Sequence, residues 1–154
     1  QTHETAQMCL LNGRKYTVAL MREGQRHFRI SSDIGENAPI PWTASGRLLL
    51  GHLSDQQIVD LIDPDDFILP DGQRLALHSF LAQIRQATLD GFFSFDSVAD
   101  TFTHCFAAPV RDAHGISIAT LCIVAPRADA IKHYNDYRRV LIESANNLAR
   151  RINE

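Results

Sequence analysis

Basic residues are in deficit. The chain has 154 residues, with 15 Lys and Arg against 18 Asp and Glu and a net charge of −3. A nucleic-acid-binding surface concentrates Lys and Arg, so these residues alone lack that electrostatic footprint. The pairs Arg138-Arg139 and Arg150-Arg151 read as solvated helix faces. Cysteine is scarce too: Cys9, Cys105 and Cys122 are an odd count without a C-x-x-C spacing, which argues against a disulfide framework and for a reducing cytoplasm. No apolar run nears the roughly 18 residues that span a membrane, and no signal peptide is recognisable. The chain enters an apparent strand almost at once, as a piece of a longer protein would.

Motifs of catalysis are missing as well. No G-x-S-x-G, G-x-G-x-x-G or phosphate-binding loop occurs. Among the seven histidines no two have the i, i+4 spacing of a helical zinc pair. His104 and Cys105 are neighbours in a strand, so their side chains point to opposite faces and cannot pair as base and nucleophile. Asp63, Asp65 and Asp66 resemble the start of a calcium loop, but Pro64 and the missing downstream Gly and Glu spoil it. Neither a metal nor a cofactor is expected.

What is present is an ordinary globular balance, 45% hydrophobic and 21% charged, without an internal repeat or a linker-like stretch. One domain over residues 1–154 is the simplest organisation. Thr5 to Leu11 and Lys15 to Arg22 flank Asn12-Gly13, a type I′ hairpin signal. His27 to Ser31 can add a third strand, and Asp33 to Pro41 reads as a loop. Thr43 caps a short helix over Ala44 to Gly51, and Ser54 caps the next. Leu77, Phe80, Leu81 and Ile84 mark an amphipathic helix that Gly91 ends. A short strand follows at Phe92 to Phe95. Thr103 to Val110 and Ser117 to Val124 form a second hairpin before a long final helix carrying Tyr137, Val140, Leu141, Leu148 and Ile152. Strands at both ends with helices between and after them predict an α+β domain around an antiparallel sheet.

Two adjacent strands carry small, faintly polar side chains on one face. Thr103, Cys105 and Ala107 stand on one strand, Ile118, Thr120, Cys122 and Val124 on the other. Such a face either packs as a core of small residues or leaves room for a pocket. The start of the helix after Thr43 offers backbone N–H groups to a carboxylate.

Three ordered segments give the chain a family likeness. IGENAPIPWTASGRLLLGHLS, Ile34 to Ser54, IRQATLDGFFSFDS, Ile84 to Ser97, and CFAAPVRDAHGISIATLCIVAP, Cys105 to Pro126, resemble the effector-binding domain of IclR-type bacterial transcription regulators. The resemblance spans nearly the whole chain. It implies a GAF-like α+β fold, a central antiparallel sheet with helices on both faces. It also implies a pocket between the sheet and the Thr43 to Arg47 turn. Ala44 and Ser45 would offer N–H groups to an anionic effector, with Cys105, Cys122 and Val124 as the floor. Homodimers or tetramers are implied, and operator DNA would be bound only through an upstream winged helix-turn-helix.

The departures from the family pattern lie around that pocket. Arg47 stands in place of a Lys, Trp42 in place of a small residue and Phe102 in place of a Gly. Phe95 falls where an acidic ligand contact is common, unless a shift of one residue puts Asp96 there. Trp42, Thr43, Ala44, Ser45, Phe95, Thr103, Cys105, Cys122 and Val124 are therefore the expected effector-binding residues. The effector is expected to join an anionic group to an apolar or aromatic body. Two other readings stay open: a GAF-like cysteine enzyme, such as a small-molecule sulfoxide reductase, and an assembly module with a vestigial pocket.

Overall fold

In a computed structural model that describes residues 1–25 and 34–154, six antiparallel strands form one sheet in the order β3-β2-β1-β6-β5-β4. The first hairpin pairs β1 (Thr5–Asn12) with β2 (Lys15–Arg22). Its turn differs from the expected type. Asn12 already pairs with Lys15, so Gly13 and Arg14 are the central residues. Only Gly13 of the two has positive φ, at 60°, which is the pattern of a II′ turn.

The expected strand at His27 to Ser31 lies outside the described residues. The third strand here is β3 (Asn37–Pro39), paired with β2 inside the stretch expected to be loop. A 3-10 turn, Ile40–Trp42, follows directly. Its cause is local, since Pro39 and Pro41 fix φ while Thr43 folds back onto the Ile40 carbonyl.

The helices are α1 (Gly46–Leu49), α2 (Asp55–Leu61), α3 (Leu77–Asp90), α4 (Arg127–Lys132) and α5 (Tyr134–Ile152). Helix α1 is shorter than expected and begins after Ser45. Thr43 still serves as a cap, its hydroxyl accepting from the Gly46 N–H at 3.0 Å. Ser54 and Gln57 complete a capping box on α2. Gly91, at φ 62°, ends α3 in the left-handed conformation that a side chain resists. The remaining strands are β4 (Phe93–Asp96), β5 (Thr103–Arg111) and β6 (Ser117–Pro126).

Helices cover both sheet faces, as the resemblance implied. On one face Leu48, Ile58, Phe80 and Ile84 pack on Cys9, Val18, Ala107 and Cys122. On the other, Ala130, Tyr137, Leu141 and Ala145 pack on Phe106, Ala108, Val110 and Ile123. The alternation along β5 and β6 thus sorts the side chains as their sequence pattern suggested. Cys105 and Cys122 belong to the α1–α3 face, Ile123 and Ala119 to the α5 face.

Candidate functional site

The turn from Pro39 to Gly46 is fastened from several sides. Thr43 Oγ1 donates to the Ile40 carbonyl at 2.9 Å. Gly46 lies so close to Ile40 that a methyl group on it would sit 2.7 Å from Ile40 Cγ2, and nearer still to its carbonyl oxygen. Arg47 Nη1 donates to the carbonyls of Pro41 (2.6 Å) and Thr43 (2.8 Å), and its Nε donates to Gln83 Oε1 (3.1 Å). The amides of Ala44 and Ser45 donate to no acceptor among the described residues. These are the two donors expected to meet an effector.

Arg47 is 3% exposed, yet no carboxylate pairs with it among the described residues. Instead its guanidinium lies over the rings of Phe80, Phe93 and Phe95 at 4.8, 5.2 and 5.1 Å, a cation–π surround. Burial lowers its pKa to about 9. The side chain therefore brings a positive charge under the turn with only carbonyl oxygens and ring faces to balance it.

Beneath the turn runs a chain of buried hydrogen bonds. Thr120 Oγ1 donates to Ser45 Oγ at 2.7 Å, and Ser45 Oγ meets Cys122 Sγ at 3.0 Å. Cys122 Sγ donates to Cys9 Sγ (3.9 Å), Cys9 Sγ to the Tyr16 hydroxyl (3.2 Å), and that hydroxyl to Gln7 Oε1 (3.5 Å). Because Ser45 accepts from Thr120 while Cys122 donates to Cys9, the Ser45 hydroxyl donates to Cys122. Cys9 and Tyr16 are held in their neutral forms. The Cys9 pKa is raised by its hydrogen bond with Cys122 and by burial, and that of Tyr16 by burial first. Burial likewise pushes the Cys105 thiol up to about 12.

The expected residues take distinct positions. Ser45 and Cys122 touch. Ala44 is buried in the core beside them. Cys105 pairs across β5 and β6 with Val124, and Phe95 lies opposite Cys105 on β4, so these three extend the floor sideways. Asp96 turns to the other face, 2.8 Å from His104 Nδ1 and 3.5 Å from Arg127 Nε. This settles the register: Phe95, not Asp96, faces the turn. Thr103 is buried, but its hydroxyl is committed to Asp100 Oδ2 at 2.7 Å. Trp42 stands at the outer edge, its indole N–H donating to the Ile68 carbonyl at 3.1 Å. Phe102 is half exposed and forms no buried wall.

Two features escaped the sequence. Arg47 was noted there only as a stand-in for Lys, although a lone cation between apolar helix positions was a signal. All three cysteines are free, in line with the expectation against disulfides, while the Cys9–Cys122 neighbourhood was not legible. It follows from the pairing of β1 with β6, which no local pattern reveals. A groove of about 590 Å³ between α5 and the first hairpin is lined by Ala6, Met8, Leu20, Leu121 and Val140. Of the expected site residues only Cys122 borders it. Among the described residues there is no group of three or more His, Cys, Asp or Glu that could hold a metal. No helix there is long and apolar enough to cross a membrane.

This sheet, turn and floor lie within residues 1–153, which match the family described as bacterial transcriptional regulator IclR C-terminal. The chain belongs to that family. Its sheet and helices are those of the family's C-terminal domain. A curated relative, the HTH-type transcriptional regulator TtgV of Pseudomonas putida, is 26% identical over 159 residues. The match covers 97% of this chain and 56% of TtgV, so the chain spans little more than half of that relative's length. The repressor BlcR of Agobacterium tumefaciens has the same fold, with a TM-score of 0.82 at 21% identity over 96% of this chain and 59% of BlcR. IclR of Thermotoga maritima superposes with a TM-score of 0.80 at 19% identity, covering 99% of this chain and 63% of that one. The family and these relatives are transcriptional regulators, and nothing in them favours the reading as a cysteine enzyme.

Proposed function

We propose that this IclR-type domain senses a small organic anion with an apolar or aromatic body, bound between the Trp42–Ser45 turn and the floor of Cys105, Cys122 and Val124. The observation that carries this reading is Arg47, a buried guanidinium without a carboxylate partner among the described residues, fastened to the same turn that leaves the Ala44 and Ser45 amides undonated. A buried charge is costly unless it is balanced. An anion on the two amides supplies that balance and satisfies two donors. The ring of Phe95 and the small side chains beside it suit an apolar body. The domain works without a cofactor and without turning over its ligand. Within a longer cytoplasmic regulator it acts as a homodimer or tetramer, and ligand binding alters the grip of a separate helix-turn-helix on operator DNA.

A thermal-shift series tests the ligand class, because binding to the native state alone raises stability. Aromatic and aliphatic carboxylates, benzoate among them, are each compared with the neutral amide of the same shape. The carboxylates should stabilise the protein and the amides should not, and Arg47→Met should erase the difference. Equal shifts from acid and amide across the series overturn the anionic assignment. Sedimentation at micromolar concentrations tests the self-association, which a strictly monomeric profile contradicts.

A further inference from the structure

We propose that Cys9 and Cys122 form a modification site, a thiol pair that a hydroperoxide oxidises to a disulfide. The proposal rests on the sheet geometry and stands whether or not an effector binds above it. β1 and β6 are paired antiparallel neighbours, with Cys9 opposite Thr120 and Cys122 opposite Gln7. Both thiols are therefore diagonal neighbours on one face, and their sulfurs are 3.9 Å apart. Side-chain rotation and a small approach of the strands bring them to the roughly 2.05 Å of a disulfide bond. Cys105 is a free thiol with no hydrogen bond to a second thiol among the described residues.

The two members of the pair are unequal. Cys9 is fully buried, and Cys122 keeps 6% exposure. Its hydrogen bonds, with Cys9 first and then with Ser45 and Thr120, lower the Cys122 pKa against the opposing effect of burial. Cys122 is thus the more acidic thiol of the pair, and acidity favours attack on peroxides. Its sulfur attacks one peroxide oxygen and the O–O bond breaks. The departing oxygen takes the thiol proton and leaves as water or an alcohol, so Cys122 becomes a sulfenic acid. The Cys9 sulfur then attacks the Cys122 sulfur. An S–S bond forms as the S–O bond breaks, and the leaving hydroxide takes the Cys9 proton as water. Two thiols are oxidised and one hydroperoxide is reduced. The product has no S–H to donate, so the Tyr16 hydroxyl loses its donor and the floor under Ser45 is rearranged.

The protein is treated with hydrogen peroxide and unfolded in an alkylating agent. Intact and peptide masses are then read with and without prior reduction. Two of the three thiols should resist alkylation until a dithiol reductant is added, and digestion should yield a peptide joining Cys9 to Cys122. In Cys9→Ala the sulfenic acid on Cys122 should persist and be trapped by dimedone, while Cys105→Ala should behave as wild type. Three alkylatable thiols after treatment, or oxidation that maps to Cys105 instead, overturns the proposal. The wild-type peptide map requires no substitution, so a poorly folded variant does not blunt the test.

Discussion

The Ser45 hydroxyl lies 3.0 Å from the Cys122 sulfur, joining the turn before α1 to the middle of the sheet. The two residues are 77 positions apart in sequence, and both are buried. In this structure the turn and the floor of the expected pocket are therefore in contact at Ser45. Under the proposed function, an effector on the Ser45 amide would have to lie beside this contact or displace it.

Substituting Ser45 with Ala should destabilise the fold by about 1–3 kcal/mol, because it removes the acceptor 2.7 Å from the Thr120 hydroxyl and leaves that group only a 3.6 Å contact with Cys122 Sγ. Urea denaturation measures this. A loss much smaller than that range would mean that Thr120 finds another acceptor. Ser45→Pro removes the amide as well. If that donor holds the effector, a carboxylate that binds wild type should lose affinity in the proline variant and keep it in Ser45→Ala.

Alkaline pH should unfold the protein through its buried acids. The pKa values of Cys9, Cys105 and Tyr16 are raised in the folded state above ordinary values of 9.0, 9.0 and 10.0. Above about pH 9 the unfolded chain releases these protons while the native state holds them, so stability falls as pH rises. Arg47 and Cys122 work in the opposite direction, since their folded pKa values are lowered, that of Arg47 to about 9, but they are two groups against three. Denaturation midpoints from pH 8 to about 11 should decline, and Tyr16→Phe should decline less steeply. A flat profile in wild type would contradict the protected state of these groups.

Phe95 and Asp96 should separate in their effects. Asp96 faces His104 and Arg127 on the α5 side, so Asp96→Asn should leave carboxylate affinity within a factor of two or so of wild type. Phe95→Ala should weaken binding of an aromatic carboxylate by about 1–3 kcal/mol, and Trp42→Ala by a similar amount if its ring stacks on the ligand. Tighter binding of larger ligands by Trp42→Ala would show instead that the ring plugs the site. Calorimetric titration of each variant decides between these outcomes.

Gly46→Ala should cost more than an ordinary helix-start substitution. The added methyl group meets the Ile40 backbone, which Thr43 and Arg47 hold in place, so the turn must yield. A loss of about 1–3 kcal/mol, the range for overpacking, is expected in a melting or denaturant experiment. A neutral or stabilising result would show that the turn is looser than its hydrogen bonds imply.

Much of this fold is legible locally. Asn12-Gly13, the Ser54 capping box, Gly91 and the two-residue alternation along β5 and β6 each mark their own element, and the structure repeats them with shifts of a residue or two. The β3 strand was not legible, since Asn37–Pro39 is held by pairing with Lys15–Thr17 rather than by its own propensity. The sheet order likewise depends on long-range pairing. For the site, strand alternation put Cys105 and Cys122 on the right face, and the family likeness pointed to the turn. Neither could place Phe95 against Asp96, because a slip of one residue reverses the faces. Nor could they foresee that Arg47 would lie under three aromatic rings brought from α3 and β4.

The relay from Thr120 through Ser45, Cys122, Cys9 and Tyr16 to Gln7 has a single direction, every member donating toward Gln7. Bond dipoles aligned in this way reinforce one another, so a charge placed at the Ser45 end is felt along the row. Two of its links are S–H groups, whose stretching band falls in a spectral window almost empty of other protein absorption. Cys9 and Cys122 are consequently built-in infrared reporters. A shift of their bands on adding a ligand would register the electric field at the base of the turn without any label.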